Sequence, residues 1–462
     1  MILPGATLGM LGGGQLGRMF TVAARTMGYR VIVLDPDPNS PAGSFADEHL
    51  CQPYDDQEAL DYMGRECAAV TTEFENIPAS SLDHLGGSCI VRPGHGAIAV
   101  TQDRILEKNF LRDNGFGTAK TVAVRTADDL AAAFAEVGSP ALLKTARFGY
   151  DGKGQHLGRS LEELAEAYER FGNVPCVLEE FLDLDKEISV VIGRGADGQT
   201  TAYAPAENRH RNGILDVSIA PARIDPATAE KACAMAQAIG TRLDYCGVLA
   251  VEFFVLKDGH LLVNEIAPRP HNSGHYTLDA CSCSQFEQQV RTLCGLPLGD
   301  TRPLRPSVMV NLLGDVWRED GPPPWETILG HPRAKLHLYG KQEARVGRKM
   351  GHYTVLGETV EEALTDAWRS ARNCCRTARE PSGRHLRRGR HPGRHGEGRP
   401  PRRLQRRFPR TGPGLAVGRI DLRRTAGNRR RQGARPALHP TGRPAGRCPG
   451  RAAGLRRQRA CR

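Results

Sequence analysis

No apolar run in this chain is long enough to span a bilayer, and no basic-then-apolar leader opens it, so neither a membrane protein nor an exported one is expected. Disulfide and zinc frameworks are missing as well. The 13 cysteines are scattered, and Cys281 and Cys283 have no second ligand pair at zinc spacing, which points to reduced, inert thiols in a cytoplasmic protein. A Walker A loop is absent, because no Gly-Lys-Ser/Thr opens a helix. Lysine is absent from residues 371–462, where 28 Arg stand against 3 acidic residues, while the rest of the chain carries 35 basic and 49 acidic residues. The formal charge of +11 therefore comes from the tail, and the body is acidic. With 462 residues the chain is long enough for two or three domains and needs no cross-links to hold a core.

What is present converges on residues 250–275, AVEFFVLKDGHLLVNEIAPRPHNSGH. Two β-rich apolar runs, 248–256 and 260–266, flank Asp258-Gly259, a dipeptide typical of a two-residue type I′ hairpin. Pairing Lys257 with His260 in such a hairpin sets Glu252 opposite Glu265. Two facing carboxylates on apolar strands repel each other, and a cation between them keeps both ionised. All-oxygen ligation suits Mg²⁺ or Mn²⁺. Two glutamates on a solvent-facing edge are the plain alternative. Against it, Arg269, His271, Asn272, Ser273 and His275 follow directly and crowd donors and imidazoles beside the proposed metal.

Upstream, a strand from Thr7 runs through Gly12, Gly14 and Gly17 into a helix, and a second strand, 29–34, ends in Asp35. That spacing fits a dinucleotide fingerprint, and a glycine turn needed only for close strand–helix packing fits it equally. A third strand, 68–74, leads into Glu75 and Asn76. The carboxyl ends of parallel strands are where open α/β sheets hold ligands, so Glu73, Glu75 and Asn76 are candidates to face a substrate, with a helix cap as the other role for Asn76. The first domain is expected to end near Pro93. Beyond it a helix carries Arg104 and Lys108 on one face, suited to phosphate or simply to solvent.

Residues 140–155, PALLKTARFGYDGKGQ, read as a strand ending in Lys144, a loop with Gly149, Gly152, Lys153 and Gly154, and a return strand. Glycine admits close approach of backbone N–H groups to phosphate oxygens, so the loop reads as a lid over nucleotide phosphates. Another strand runs into Glu179, Glu180, Phe181 and Leu182, and Glu187 opens the next. Such a stretch can pair with an adenine edge and Glu187 with ribose hydroxyls, or the glutamates can be surface groups. The polar loop 208–215 contains His210. Near the end, two strands within 335–355 flank a basic turn with Lys341, Arg345, Arg348 and Lys349, either a cradle for a phosphate monoester or a solvated loop.

These residues carry a family resemblance. GQLGRM at 14–19, EFEN at 73–76, FGYDGKGQ at 148–155, NEIAPRPHNSGH at 264–275 and GRKMGH at 347–352 make the stretch 9–357 similar to the N5-carboxyaminoimidazole ribonucleotide synthetase family of ATP-grasp enzymes. The resemblance implies an α/β (α+β) fold: a Rossmann-like domain at 1–100, an ATP-grasp domain at 101–295 with a lid at about 118–180, and a β-rich domain at 296–370, beyond which the tail at 371–462 departs from the family. It also implies ATP-dependent carboxylation of 5-aminoimidazole ribonucleotide by bicarbonate through carboxyphosphate, in purine biosynthesis, with Mg²⁺ (or Mn²⁺), without biotin, in a homodimer.

On that basis ATP falls to Arg104, Lys144, Gly149, Gly152, Lys153, Gly154, Glu179, Glu180, Phe181, Leu182, Glu187, His210 and Asn264, and the metal to Glu252 and Glu265. The ribonucleotide falls to Gln15, Leu16, Glu75, Asn76, Tyr150, Asp151 and Arg269, with Lys341, Arg348 and Lys349 on its phosphate. The chemistry falls to Arg269, His271, Asn272, His275 and Asp151, with Asp151 or a histidine relaying the amine proton.

Two rival readings are another ATP-grasp ligase or carboxylase, and an NAD(P)-dependent oxidoreductase built on the glycine motif. The Arg-, Pro- and Gly-rich tail shows little hydrophobic periodicity and cannot bury enough apolar surface to fold alone. Arg-rich segments bind nucleic acid non-specifically. Arg without Lys is also what GC-rich codons yield out of frame, so a disordered or frameshifted end with no nucleic-acid role is expected.

Overall fold

The structure, a computed structural model, describes residues 1–149, 152–317 and 323–374, with side chains as far as residue 370. Residues 371–374, expected to begin the tail, end the helix Val360–Cys374; the expectations for the rest of the tail, for Tyr150 and for Asp151 lie outside the described residues.

Strands β1 (Thr7–Leu11), β2 (Arg30–Leu34), β3 (Glu48–Leu50), β4 (Ala69–Thr72) and β5 (Ile90–Val91) form a parallel sheet in the order β3-β2-β1-β4-β5. Its central strands are near-continuous apolar runs because helices cover both faces. Leu8, Met10, Val31 and Val33 pack with Phe20 and Ala24 of the helix Gln15–Thr26. Leu11, Ile32 and Val70 pack with Leu60 and Met63 of the helix Gln57–Glu66.

A small antiparallel sheet follows: β6 (Thr121–Val124), β7 (Ala141–Thr145), β8 (Gln155–Gly158) and β9 (Cys176–Glu180), in the order β6-β9-β7-β8. The helices Asp129–Val137 and Leu161–Arg170 close its core through Leu130, Ala133, Leu164 and Tyr168.

The large sheet holds β10 (Leu184–Arg194), β11 (Thr200–Ala202), β12 (Ala206–Arg211), β13 (Ile214–Ala220), β14 (Gly247–Leu256), β15 (Leu261–Ala267), β16 (Ser307–Leu313), β17 (Ala334–Leu338) and β18 (Lys349–Leu356). Their order is β15-β14-β10-β12-β13-β16-β18-β17, with β11 added on β10. The stretch 296–370, set apart in the sequence reading, thus extends the sheet that carries the glutamate hairpin. The reason is the edge of β13. Val217 and Ile219 leave an apolar edge there, and β16 covers it, Val308 and Val310 joining them with Tyr353 in one core.

The helix Gln285–Cys294 fastens the large sheet to the first one. Its Val290 and Leu293 enter the core of Leu8 and Phe20, and the Arg92 guanidinium donates to the terminal carbonyls of Thr292 and Leu293 at 2.9 and 2.8 Å. Among the described residues no helix is long and apolar enough to cross a membrane.

Candidate functional site

The hairpin β14–β15 does bring Glu252 opposite Glu265, but by a different route from the one the sequence suggests. The loop has three residues, not two: Leu256 pairs with His260, and only Gly259, at φ +84°, takes a left-handed conformation. A type I′ turn would need positive φ at Asp258 as well. That shifts the register by one, and a β-bulge between Glu252 and Phe253, opposite Asn264, shifts it back. The bulge decides which way Glu265 points. Leu261 and Val263 enter the same core as Val251 and Phe253, and strict alternation would put position 265 there too. With Asn264 as the extra residue, Ile266 takes the core place and Glu265 turns to the side of Glu252.

Cations gather on this face from the helix Arg104–Asp113 and from β7. Arg104 reaches Glu265 at 2.7 Å, and Lys108 donates to the Asn264 carbonyl at 2.7 Å. Lys108 and Lys144 also flank the buried Glu179, at 3.1 and 2.6 Å. Burial raises the Glu265 carboxyl, but the Arg104 guanidinium outweighs it and holds the group at about 2. Glu252 has no such partner; burial and the charge of Glu265 push it up to about 7. The neighbouring Asn264 Oδ1 is buried and unpartnered. Two carboxylates, one strained toward protonation, and an orphan carbonyl oxygen are a donor set that fits a hard divalent cation sharing its remaining positions with phosphate oxygens and water.

The loop after β15 adds a second cluster. Arg269 grips Glu75 through Nε at 2.6 Å, which holds the Glu75 carboxyl below its ordinary range despite burial. His271 Nε2 lies 3.3 Å from Glu252 Oε1. Burial, reinforced by Arg269 and Lys349, lowers His271 to about 3, so the imidazole is neutral. Asn272 is buried with both amide atoms unpartnered. His275 is turned away from the carboxylates. It is fully buried, accepts at Nδ1 from Gln285 Nε2 (3.1 Å), and lies with its ring tilted 4.8 Å from that of His352, whose Nδ1 meets the Tyr339 hydroxyl at 2.8 Å.

The glycine motif is already occupied by the chain itself. The Glu73 carboxylate accepts from the amides of Gly14 and Leu16, the latter at 3.0 Å, at the N-terminus of the helix Gln15–Thr26, where a dinucleotide pyrophosphate would sit. Asp35 accepts from Gly13 N at 2.6 Å and from the Tyr54 hydroxyl at 2.7 Å. Glu73 therefore caps a helix instead of facing a substrate, and the NAD(P) reading falls with it. Gln15 is left at the rim, where its Oε1 accepts from Lys341 Nζ at 2.6 Å; the same ammonium donates to the Lys349 carbonyl at 2.8 Å. Leu16 packs inward with Met19, Phe286 and Tyr339. Arg348 donates to the Glu343 carbonyl at 3.0 Å in the same turn, and half-buried Asn76 follows Glu75.

On the lid, Gly152 (φ +76°) lies backbone to backbone against Gly213 in the β12–β13 turn; a Cβ on it would come within 3.1 Å of the Asn212 carbonyl oxygen. Gly154, at φ +69°, returns the chain to Thr145 through a 2.8 Å backbone bond, with Gly149 on the same threonine. At the other end of the cleft the Glu180 carboxylate caps Lys120 N at 2.7 Å, Phe181 is exposed, Leu182 is half-buried, and Glu187 pairs with His210 at 2.9 Å. Two polar groups that sequence reasoning passed over belong here. Glu107 accepts from Ile266 N at 2.6 Å and pins the cationic helix to the bulged strand, and Gln102 joins Arg147 to the Ile77 carbonyl at 3.0 and 2.8 Å. Glu107 sits one residue from Lys108 in a charged helical stretch, and nothing local marks it as buried.

Family models match the chain in three consecutive parts: a ribonucleotide synthetase preATP-grasp domain at 5–102, an ATP-grasp domain at 109–286, and a phosphoribosylaminoimidazole carboxylase C-terminal domain at 307–366. The chain is 42% identical over 373 residues to the N5-carboxyaminoimidazole ribonucleotide synthase of Bacillus subtilis, covering 80% of this chain and 97% of that protein. It is 45% identical over 353 residues to the same enzyme of Brucella melitensis, covering 76% and 96%. Among solved structures, it is similar to an ADP complex of an N5-carboxyaminoimidazole ribonucleotide synthetase, with a TM-score of 0.75, 43% identity and coverage of 79% and 96%. It is also similar to the Aspergillus clavatus synthase in complex with ADP and 5-aminoimidazole ribonucleotide, with a TM-score of 0.74, 32% identity and coverage of 80% and 99%.

Proposed function

The chain belongs to the N5-carboxyaminoimidazole ribonucleotide synthase family of ATP-grasp ligases, and from that premise we propose how its residues divide the reaction. It is an ATP-dependent ligase that carboxylates aminoimidazole ribonucleotide in purine biosynthesis. Bicarbonate is the carbon source in our reading, and the protein works as a cytoplasmic homodimer.

ATP lies between the lid sheet and the hairpin, with Arg104, Lys144 and Lys153 on its phosphates, the 149–154 glycines closing over them, and the 179–187 strand end, His210 and Asn264 around the nucleoside. Glu252 and Glu265 would hold Mg²⁺ or Mn²⁺, which would supply positive charge to offset that of the phosphates. A bicarbonate oxygen attacks the γ-phosphorus, the bond to the β–γ bridging oxygen breaks, and ADP leaves carboxyphosphate behind. That anion breaks down to CO₂ and phosphate inside the closed cleft. The ribonucleotide's amino nitrogen then bonds to the CO₂ carbon and gives up its proton, to Asp151 or a histidine.

In this scheme Arg269 and His271 hold bicarbonate and its phosphorylated product, with Asn272 beside them. Arg269 supplies a fixed cation, and His271, neutral in its buried setting, supplies a hydrogen bond without adding charge. The ribonucleotide takes the rim around Gln15, Leu16, Glu75 and Asn76, with Lys341, Arg348 and Lys349 on its phosphate, and the 148–155 motif assigns Tyr150 and Asp151 to it as well. His275, locked behind Gln285 and His352, shapes the wall.

The observation that carries the reading is the bulge at Asn264, which aims Glu265 at Glu252 among Arg104, Arg269 and His271. Phosphate release tests it. Turnover should require both the ribonucleotide and bicarbonate, and Glu265→Gln should lower it by about 10³-fold or more, the worth of several kcal/mol of charge stabilisation. ATP turnover indifferent to the ribonucleotide would remove the substrate assignment; near-normal turnover in the variant would remove the metal one.

A further inference from the structure

Behind His271 runs a file of polar side chains that the reaction scheme does not use. Ser218 of β13 donates to Asn208 Oδ1 at 2.9 Å, and Asn208 Nδ2 donates to Ser189 Oγ of β10 at 2.9 Å. Ser189 Oγ donates to Ser273 Oγ at 2.7 Å, and Ser273 Oγ lies 2.7 Å from His271 Nδ1. All four side-chain carriers are buried, at 0% exposure for Ser218, 6% for Asn208, 2% for Ser189 and 0% for Ser273. Water does not compete for their hydrogens, so each hydroxyl has one proton to place and the file must run in one direction.

Only two directions exist. In one, the Ser273 hydroxyl donates to Nδ1; in the other, an Nδ1–H donates to Ser273. The backbone amide of Ser273, a group that can only donate, points at the same Nδ1 at 3.4 Å. A ring nitrogen facing two donors is an acceptor, and the remaining proton of the neutral ring is then on Nε2, the atom 3.3 Å from Glu252 Oε1. With the proton on Nδ1 instead, Nε2 would present a lone pair to that carboxylate and to any anion bound beside it.

We propose that the file Ser218–Asn208–Ser189–Ser273 fixes His271 as its neutral Nε2–H tautomer, so that it serves the bound anions as a hydrogen-bond donor and not as a base. Ser189 and Ser273 are positioning residues in this sense. The proposal rests on the reading that puts His271 beside bicarbonate and its phosphorylated product, and it gives that reading a direction of hydrogen bonding. It also gives a role to hydroxyl and amide side chains that are buried on three neighbouring strands, β10, β12 and β13.

The full-length protein labelled with ¹⁵N-histidine tests it, with His271→Gln identifying the His271 signals in long-range ¹H–¹⁵N spectra. The expected wild-type pattern is a protonated Nε2 and a bare Nδ1. Ser189→Ala removes no atom that touches the imidazole, yet it should convert the His271 signal to a mixture of tautomers, as should Ser273→Ala. Both variants should raise KM for bicarbonate about tenfold, the worth of one hydrogen bond, while KM for ATP stays within about twofold. Ser189→Thr, which keeps the hydroxyl, should restore the wild-type pattern.

A protonated Nδ1 in the wild type overturns the proposal, and so does an unchanged Nε2–H pattern in Ser189→Ala. If Ser273→Ala does not fold, Ser189→Ala and Ser218→Ala decide. Normal carboxylation by His271→Gln with the tautomer shifts intact would fault the placement of His271 at the reacting groups instead, so the two failures are distinguishable.

Discussion

At Glu179 a single carboxylate answers for two lysines in a space where none of the three is more than a tenth exposed. Burial opposes its charge, yet Lys144, Lys108 and Arg104 hold its carboxyl well below the usual carboxylate range. Its stabilising contribution is therefore complete above the unfolded value of about 4.3 and is lost as pH falls below that toward the depressed native value. Glu179→Gln leaves two buried ammonium groups without a counter-charge and should destabilise the protein by about 3–5 kcal/mol at pH 7. It should also flatten the acid limb of stability against pH, as read by urea unfolding between pH 5 and 3. An unaltered limb would mean that the lysines find other partners. The sequence showed Glu179, Lys144 and Lys108 as separate candidates for a nucleotide. That they meet was not legible, because they stand on β9, β7 and a helix, more than thirty residues apart between successive members. The same limit applies to Glu73: its position at a strand end suggested a substrate contact, while its partners, the Gly14 and Leu16 amides, lie in another βα unit.

At the scale of elements, the hairpin shows two irregularities that cancel. Asp258-Gly259 correctly marked a turn, and Glu252 does oppose Glu265, but a three-residue loop and a bulge at Asn264 replace the regular pairing. The hint was the apolar pattern itself: Leu261, Val263 and Ile266 break alternation by one, as a bulge requires. Deleting Asn264 leaves strict alternation, with Val263 and Ile266 inward and Glu265 still opposite Glu252, so it should keep the fold and lower ATP turnover only as far as loss of the amide does. Asn264→Ala, which keeps the extra residue, should retain the fold by thermal denaturation. A deletion far more damaging than Asn264→Ala would show that the bulge itself matters beyond the amide. Gly259→Ala, at φ +84°, should cost about 1 kcal/mol without affecting turnover at saturating substrates.

For the whole molecule, the C-terminal strands do more than cap a sheet. They carry Lys341 to Gln15 of the first domain, so two distant segments share one rim. Lys341→Met should raise KM for the ribonucleotide about tenfold and leave KM for ATP unaltered, since in the proposed division of the site only the former reaches that rim. Behind it, His275 and His352 are fully buried, and burial puts both imidazoles well below their ordinary value. Above about pH 6.5 folded and unfolded chains both hold these rings neutral. Below it the unfolded chain takes up protons that the native rings refuse, so stability falls by about 1.4 kcal/mol per pH unit for each ring. His352→Gln should have a shallower decline between pH 7.5 and 5.5 in chemical denaturation. A slope equal to wild type would assign the loss elsewhere.

The sequence by itself determined the elements and the chemical types. Alternation, glycine turns and the motifs at 14–19, 148–155, 264–275 and 347–352 are local patterns, and local sterics and solvation are enough to write them. Tertiary structure alone decided which charges meet and which residues are spent on holding the fold. Glu73 is consumed as a helix cap, Glu107 as the acceptor that pins the Ile266 amide, Glu179 as a buried counter-charge, and Ser189, Asn208 and Ser218 as the support of His271. The physical reason is that a polar side chain's role is set by what stands within about 3 Å of it after burial, and burial of a charge is tolerated only where a partner arrives from elsewhere in the chain.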